Sequence, residues 1–411
     1  MPHEECTEIL TGWDGYRVSH VERFKAGRQG PSAEIWVDLL PRPDRVKRCS
    51  KCEKPVRHVH DAAERWVRDL PILDATTWIR FPRCRVACPR CGPTLELLPW
   101  LDKYARVTTR LADSVGQLCQ MASIKHVAEF YGMKWDAVKA IDMRFLQRTL
   151  GKPDLSDVEI LAIDEFAIQK GHRYATVIIE PNRKQVLWVG RGRSREDIRP
   201  FFEMLGPEGR KRIKAVAMDM SRSFEEEVRF QCPDAEIVFD LFHVVAKYGR
   251  EVINRVRVDE ANRVRHDKKA RKVIKSSRWL LLRNRSSITK KEDRVRLDEL
   301  LKANRRLMTV YVLKEDLKQL WKYRSEGWAR RAWDDWYHRA IRSRIEPLKA
   351  FARKLKPYLP GIFSHCRWPL HTSLLEGINN KIKVIKRTAY GFRDDAYFFL
   401  KIRAAFPGIP G

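Results

Sequence analysis

The chain has 411 residues, with 82 Lys and Arg against 53 Asp and Glu, a formal net charge of +29 at pH 7. That excess calls for a polyanionic partner, of which nucleic acid is the commonest, and 44% hydrophobic residues exclude wholesale disorder. No run approaches the roughly 18 apolar residues of a membrane span. The opening MPHEECTEIL has neither a basic nor an apolar targeting region. The expectation is therefore a cytoplasmic, nucleoid-associated protein without membrane contact, whose nine cysteines serve metal binding or packing rather than disulfides.

Residues 13–40 read as two short strands split by a glycine-rich turn at Gly27 to Gly30, an N-terminal β segment over 1–43. From 44 to 105 cysteines cluster among short extended pieces. Cys49-x-x-Cys52 and Cys88-x-x-Cys91 are two knuckles whose separation exceeds the ~15–20 residues of a simple zinc ribbon. A hairpin insert would bring them together, and four thiolates would then hold one structural Zn²⁺ tetrahedrally. Cys84 could replace Cys88 or Cys91, and His58 and His60 are further candidates; Cys6, Cys119, Cys232 and Cys366 are isolated and read as packed thiols.

Residues 106–155 change period to three helical segments. The run from Ser123 to Ala140 is helix, glycine-containing turn, helix, with Val127, Ala128 and Val138 facing inward. It reads as a helix-turn-helix or as an ordinary αα-hairpin. In the first case Lys125, Lys134, Trp135, Asp136 and Lys139 lie at or near the DNA.

Residues 156–245 follow a β-β-β-α-β-α-β order, which predicts a layered α/β domain. Asp164 ends the first strand and Asp219 the fourth, each after an apolar run, with Glu165 on the opposite face of its strand. If those strands are neighbours, two carboxylates come side by side, and a divalent cation is the simplest neutraliser. Asp240 and His243 follow the fifth strand; they sit one layer out from the metal, or His243 merely packs at a helix start. Asp197 and the Glu225 to Glu227 cluster read as helix-face charges.

Residues 246–365 are nearly all helical. Within them 255–278 is a strongly basic helix pattern whose cations would track phosphates. The segment 366–411 opens with the most specific run of the chain, His371 through Lys383. On a helix, Glu376, Asn379, Asn380 and Lys383 share a face. Glu376 would be the third carboxylate of a two-metal site for in-line phosphodiester chemistry. His371, Asn379 and Asn380 would orient the ligands, and Lys381, Lys383, Lys386 and Arg387 would hold a DNA strand.

The cysteine knuckles, ERWVRDLP at 64–71, the helix-turn-helix, LAIDEFAIQKGHRY at 161–174, AVAMDMS at 215–221, FDLFHVV at 239–245, RWLLLRN at 278–284, YVLKEDLKQLW at 311–321 and LEGINNKIKVIKRTAYGFRD at 375–394 together resemble the bacterial insertion-sequence transposases of the ISL-three group. The likeness runs over essentially the whole chain. It implies an α/β catalytic domain of RNase H-like fold with a large all-α insertion, preceded by a small zinc-binding module and a helix-turn-helix domain. It implies that Asp164, Asp219 and Glu376 are the DDE residues holding two Mg²⁺ (or Mn²⁺) ions, and Asp240 and His243 resemble a DxxH motif near that site. The implied partner is double-stranded DNA, both element ends and target, acted on by a homo-oligomer. The rival expectations are a metal-dependent nuclease or resolvase without strand transfer, and a catalytically inactive zinc and helix-turn-helix regulator.

Overall fold

The computed structural model describes residues 11–25, 33–169, 171, 173–370 and 373–408; the glycine-rich turn, Cys6 and His371 lie outside them. The chain divides into two compact units, Met1–Gly151 and Lys152–Gly411. No helix among the described residues is long and apolar enough to cross a membrane.

In the first unit β1 (Tyr16–Phe24) and β2 (Glu34–Pro41) join β3 (Val59–Ile72), β4 (Ala75–Cys88) and β5 (Gly92–Leu95) in one sheet of order β1-β2-β4-β3, with β5 on β4. The short pieces expected between the cysteines are in fact two 14-residue strands forming a hairpin. Alternation along β4 is regular from Ala75 to Arg83, with Ile79 and Phe81 buried, and resumes one residue out of phase from Cys84, with Val86 and Cys88 buried. Helices α1 (Thr109–Leu118), α2 (Ile124–Tyr131) and α3 (Trp135–Leu150) follow. Thr108 and Ser123 cap the first two through their hydroxyls, and Gly132, at φ 58°, ends α2 in the left-handed region that glycine tolerates.

Asp69 ties sheet to helices. Its fully buried carboxylate accepts from Trp13 Nε1 at 2.8 Å, Thr108 Oγ1 at 2.5 Å, Arg110 Nε at 2.8 Å and Leu70 N at 2.8 Å. The Arg110 guanidinium also lies over the Trp13 ring, 4.8 Å from its centroid.

The second unit is built on the sheet order β10-β9-β6-β7-β8, the arrangement of an RNase H-like domain. Strands β6 (Ile160–Gln169), β7 (Arg173–Glu180) and β8 (Gln185–Arg191) form an antiparallel meander. Helix α4 (Arg195–Arg212) leads to β9 (Ala215–Met218), and α5 (Arg222–Gln231) to β10 (Glu236–Phe239). Both late strands run parallel to their neighbours. Two side-chain roles differ from expectation. Asp197 is part of a capping box with Ser194 at the start of α4. Glu227 is fully buried rather than on a solvated helix face, held by Arg199 Nε at 3.0 Å, Arg195 Nε at 3.2 Å and Gln231 Nε2 at 2.8 Å. Burial pushes its carboxyl up, but those donors win and its pKa is lowered.

The sheet has two covered faces. One, with Leu161, Ile163, Val216, Met218, Ile237 and Phe239, packs on α4, α5 and the helical insertion. The chain enters that insertion along α6 (Leu241–Tyr248) and continues through α7 (Asn254–Arg263), α8 (Lys268–Ser276), α9 (Arg278–Leu282), α10 (Lys291–Ala303), α11 (Arg305–Gln319), α12 (Glu326–Arg342), α13 (Glu346–Leu355) and α14 (Leu359–Phe363). The basic stretch expected as one helix is two, α7 and α8, because Asp267 starts a new one by accepting from Lys269 N and Ala270 N. The other face, with Ala162, Phe166, Ala215, Ala217 and Val238, packs on α15 (Ser373–Thr388) and α16 (Asp395–Ala405). The insertion returns close to where it left. Trp321 Nε1 donates to Phe239 O at 3.2 Å, and a Cβ on Gly361 would stand 2.5 Å from the Phe239 ring.

Replacing Asp69 with Ala leaves Arg110, Thr108 and Trp13 without their shared acceptor and should cost about 3–5 kcal/mol. Hydrogen exchange should show protection lost across β3 and α1 with β6, β9 and β10 unchanged; retained protection in β3 would refute this role.

Candidate active site and DNA-binding modules

The register of the parallel strands builds the first site. Ala162 pairs with Ala217 and Phe239 with Met218. One or two residues further along, Asp164, Asp219 and Asp240 stand level across three adjacent strand positions, the ladder extended by Asp240 N donating to Met218 O at 3.1 Å. Strand β6 does not end at Asp164 as its sequence suggests. It runs on to Gln169, paired with β7 alone, because β9 stops at Met218. Asp164 thus sits where the sheet narrows, with the same alternation as Ala162 and Phe166 on the face covered by α15.

Helix α15 is seated by Leu375, Ile378 and Ile382, spaced three and four apart and buried. Beside that stripe Asn379 donates from Nδ2 to Asp164 Oδ2 at 2.6 Å. Glu376, one turn earlier, is exposed. Asn380 accepts from Lys383 Nζ at 3.3 Å and does not meet the aspartates. Lys386 donates to Ala167 O at 3.3 Å, while Lys381, Lys383 and Arg387 point to solvent. From the other side, α6 is capped by Asp240, whose Oδ1 accepts from Phe242 N at 2.7 Å and whose Oδ2 meets His243 Nδ1 at 2.9 Å. Glu165 turns away from Asp164 to pair with Arg193 at 3.1 Å. No sequence signal points to Arg193, since only the fold of the β8–α4 loop brings it there.

Electrostatics follow from the burial. Asp164 is pushed up to about 6, first by desolvation and further by the Asp219 charge, against the pull of His243 and its hydrogen bonds. Asp219 is raised for the same first reason, opposed by His243 and reinforced by Glu165. Burial would lower the His243 imidazole, but the Asp240 bond and the charges of Asp164, Asp240 and Asp219 outweigh it, and its pKa is raised. Two adjacent carboxylates, Asp164 buried and Asp219 half-buried, that resist ionising together are a donor set that a hard divalent cation relieves. The Asn379 Oδ1, buried and without a hydrogen-bond partner, is a further oxygen acceptor beside them. All-oxygen donors of this kind fit Mg²⁺ or Mn²⁺. The carboxylates of Asp164, Asp219 and Glu376 do not gather to the mutual spacing under 4.8 Å that the cysteines reach.

The second site is that cysteine cluster. The Sγ atoms of Cys49, Cys52, Cys88 and Cys91 all lie within 4.8 Å of one another, with Cys52 and Cys88 at 3.7 Å. The β3–β4 hairpin closes the long gap between the knuckles, and Cys88 pairs with Gly92 as β4 turns into β5. Cys84, His58 and His60 are outside the cluster. Cys84 lies within β4, where its N–H donates to the buried Glu96 carboxylate at 3.0 Å, and His60 meets Asp61. Burial raises the Cys49 thiol, yet N–H donors from Cys52 and Lys51 and its sulfur neighbours bring it down to about 7. A thiol so disposed is ready to bind a thiophilic metal, and four sulfurs suit tetrahedral Zn²⁺.

In the three-helix segment Val127, Ala128 and Val138 are buried as expected. A Cβ on Gly116 would stand 2.3 Å from the Phe145 ring, so α1 and α3 meet closely there. At the start of α3, Lys134, Trp135 and Asp136 are exposed, with Lys139 Nζ 5.9 Å from the Trp135 ring centroid. Lys125 is exposed on α2 and reaches Glu129 at 3.8 Å.

Comparison with known proteins gives matches in the same order. Residues 45–91 match the zinc-finger of the transposases of IS204, IS1001, IS1096 and IS1165. Residues 96–146 match the helix-turn-helix domain of transposase family ISL3, and residues 161–402 match the DDE family of the same group, described as transposase. The chain is 54% identical over 409 residues to the transposase for insertion sequence element IS1001 of Bordetella parapertussis, covering 99% of each. It is 27% identical over 442 residues to the transposase for insertion sequence element IS1557 of Mycobacterium tuberculosis, covering 100% of this chain and 98% of that protein.

Purified protein should carry one zinc per chain by elemental analysis. Cys49→Ser and Cys91→Ser should each lose it, while Cys84→Ser keeps it. Retained zinc in Cys91→Ser, or loss in Cys84→Ser, would show the ligand set to be different.

Proposed function

Because this chain belongs to the ISL3 family of insertion-sequence transposases, we propose that it binds the terminal inverted repeats of its element and carries out DNA strand cleavage and strand transfer at Asp164, Asp219 and Glu376. The observation that carries this reading is the level register of Asp164 and Asp219 where the adjacent parallel strands β6 and β9 part. The hydrogen bond from Asn379 to Asp164, which ties the helix of Glu376 to that edge, supports it further.

Divalent ions held there, Mg²⁺ or Mn²⁺, supply the Lewis acidity that activates the attacking hydroxyl and stabilises the leaving oxygen. The protein's own residues do the rest. Glu376 turns from solvent toward the aspartates to complete the donor set. Asn379 fixes the Asp164 carboxylate, and Asp240 fixes His243, whose raised basicity offers positive charge to a phosphodiester oxygen. Lys381, Lys383 and Arg387, exposed on α15 beyond Glu376, hold the strand. Water is the first nucleophile, cutting at the element end; the freed 3′-hydroxyl is the second, attacking target DNA. Both steps are in-line displacements at phosphorus, so one site serves both.

Within this reading, 1–43 is an N-terminal β segment, 44–105 the zinc-binding module and 106–155 the helix-turn-helix, with α3 entering the major groove through Lys134, Trp135 and Lys139. Residues 156–245 and 366–411 form the catalytic domain around the insertion 246–365. Two element ends must be handled together, which calls for a dimer or larger assembly on DNA in the bacterial cytoplasm.

Asp219→Asn should reduce cleavage and joining of an element-end duplex by at least about 10³-fold, while gel-shift affinity for that duplex stays unchanged. Cleavage surviving in Asp219→Asn would end the catalytic assignment. An end duplex carrying a free 3′-hydroxyl, given with plasmid and Mg²⁺, should be joined to the plasmid; cutting without joining would leave a nuclease.

A further inference from the structure

Helix α8 stands apart from every other exposed helix of the insertion. Five of its nine residues are cations, Lys268, Lys269, Arg271, Lys272 and Lys275, and none is acidic. Among the described residues none of these five has a carboxylate within ion-pair distance. Several cations elsewhere in the insertion are paired: Arg330 with Glu326, Arg339 with Asp316 and Asp335, Lys349 with Glu346, Lys354 with Glu251 and Arg285 with Asp298. Only Ile274 on α8 is buried, so the cationic side faces solvent.

The surroundings concentrate this charge further. Arg257 reaches across from α7 to donate to Lys275 O at 2.8 Å, and Arg278 begins the next helix. Burial first, and then the Arg278 charge, lower the Arg257 pKa. Arg257 Nε and Arg271 Nε are buried without hydrogen-bond partners. Crowded like charges cost stability, and a bound polyanion relieves that repulsion. Trp279 completes the surface, 66% exposed with the Arg278 guanidinium 5.1 Å from its ring centroid.

We propose that α8, with Arg278 and Trp279, is a sequence-independent grip on duplex DNA that captures target DNA, separate from the helix-turn-helix that reads the element end. It rests on the transposition reading and deepens it by naming the surface for the second DNA partner. Lysines on a helix act as point charges on phosphates and carry no base readout, which is what a target chosen without sequence requires. The ring of Trp279 adds apolar contact with sugar or base faces.

The test uses the full chain, a random 30-base-pair duplex, and titration of affinity against salt without divalent metal, so it does not depend on catalysis. Changing Lys268, Lys269, Lys272 and Lys275 together to Gln should reduce the slope of log affinity against log salt by roughly 3 to 4, about 0.9 for each phosphate no longer neutralised. The substitutions are solvent-facing and Gln is a good helix former. Trp279→Ala should weaken affinity without changing the slope. A control carrying the same charge change at paired cations, Arg330, Arg339, Lys349 and Lys354 to Gln, should shift the slope by less than about 1. If the control lowers the slope as much as the α8 variant, net charge alone is responsible and the grip does not exist. An unchanged slope in the α8 variant, or a change in its DNA-free oligomeric state by ultracentrifugation, which would mark a protein contact instead, overturns the proposal equally. Absence of cleavage by the wild-type protein would count against the transposition reading and leave these slopes interpretable.

Discussion

The parallel pairing of β9 with both β6 and β10 is the constraint on which the placement of the three aspartates depends. Because partners in a parallel ladder keep constant register, fixing Ala162 opposite Ala217 and Phe239 beside Met218 also fixes what comes next on each strand. Three aspartates are thereby brought level by the backbone, although their charges repel one another. The cost is electrostatic: carboxylates are placed together in partial burial, and Asp164 and Asp219 both hold their protons more tightly than free side chains. The fold provides that energy through the apolar packing on both faces of the sheet.

Much of this is legible in the sequence. The apolar runs before Asp164 and Asp219, the alternating order of strands and helices and the LEGINNKIK run are enough to predict an α/β sheet with two carboxylates at one edge and a third on a late helix. The two cysteine knuckles point to a four-sulfur metal site but leave Cys84, His58 and His60 as alternative ligands, and in the structure these three lie outside the cluster of Cys49, Cys52, Cys88 and Cys91. The extended length of β3 and β4 is less legible, since charged residues crowd β3, where only Val67 and Asp69 are fully buried.

Buried charge is the least legible feature. Asp69, Glu227 and Lys314 look like surface residues in sequence, yet each is nearly inaccessible. Their partners lie far along the chain: Asp69 with Trp13 and Arg110, Glu227 with Arg195 and Arg199, and Lys314 with the carbonyls of Leu281 at 3.0 Å and Arg283 at 2.7 Å. Local pattern reports propensity and amphipathicity, whereas a buried charge is decided by whichever segment tertiary packing brings over it. For the same reason the apolar run before Asp164 suggests a strand end that the structure does not have: β6 continues only because β7 continues beside it.

Phe239 carries a different kind of consequence. The chain leaves the sheet there and comes back to it, with Trp321 on its carbonyl and Gly361 against its ring. The helical excursion is therefore a loop whose ends are already tied. Adding length at its far side costs only loop-closure entropy, about 0.6 kcal/mol for each doubling of a flexible segment. Glu376 is held by α15 and not by the excursion's size. Such an architecture lets the insertion be enlarged or trimmed while the aspartates stay where the strands put them.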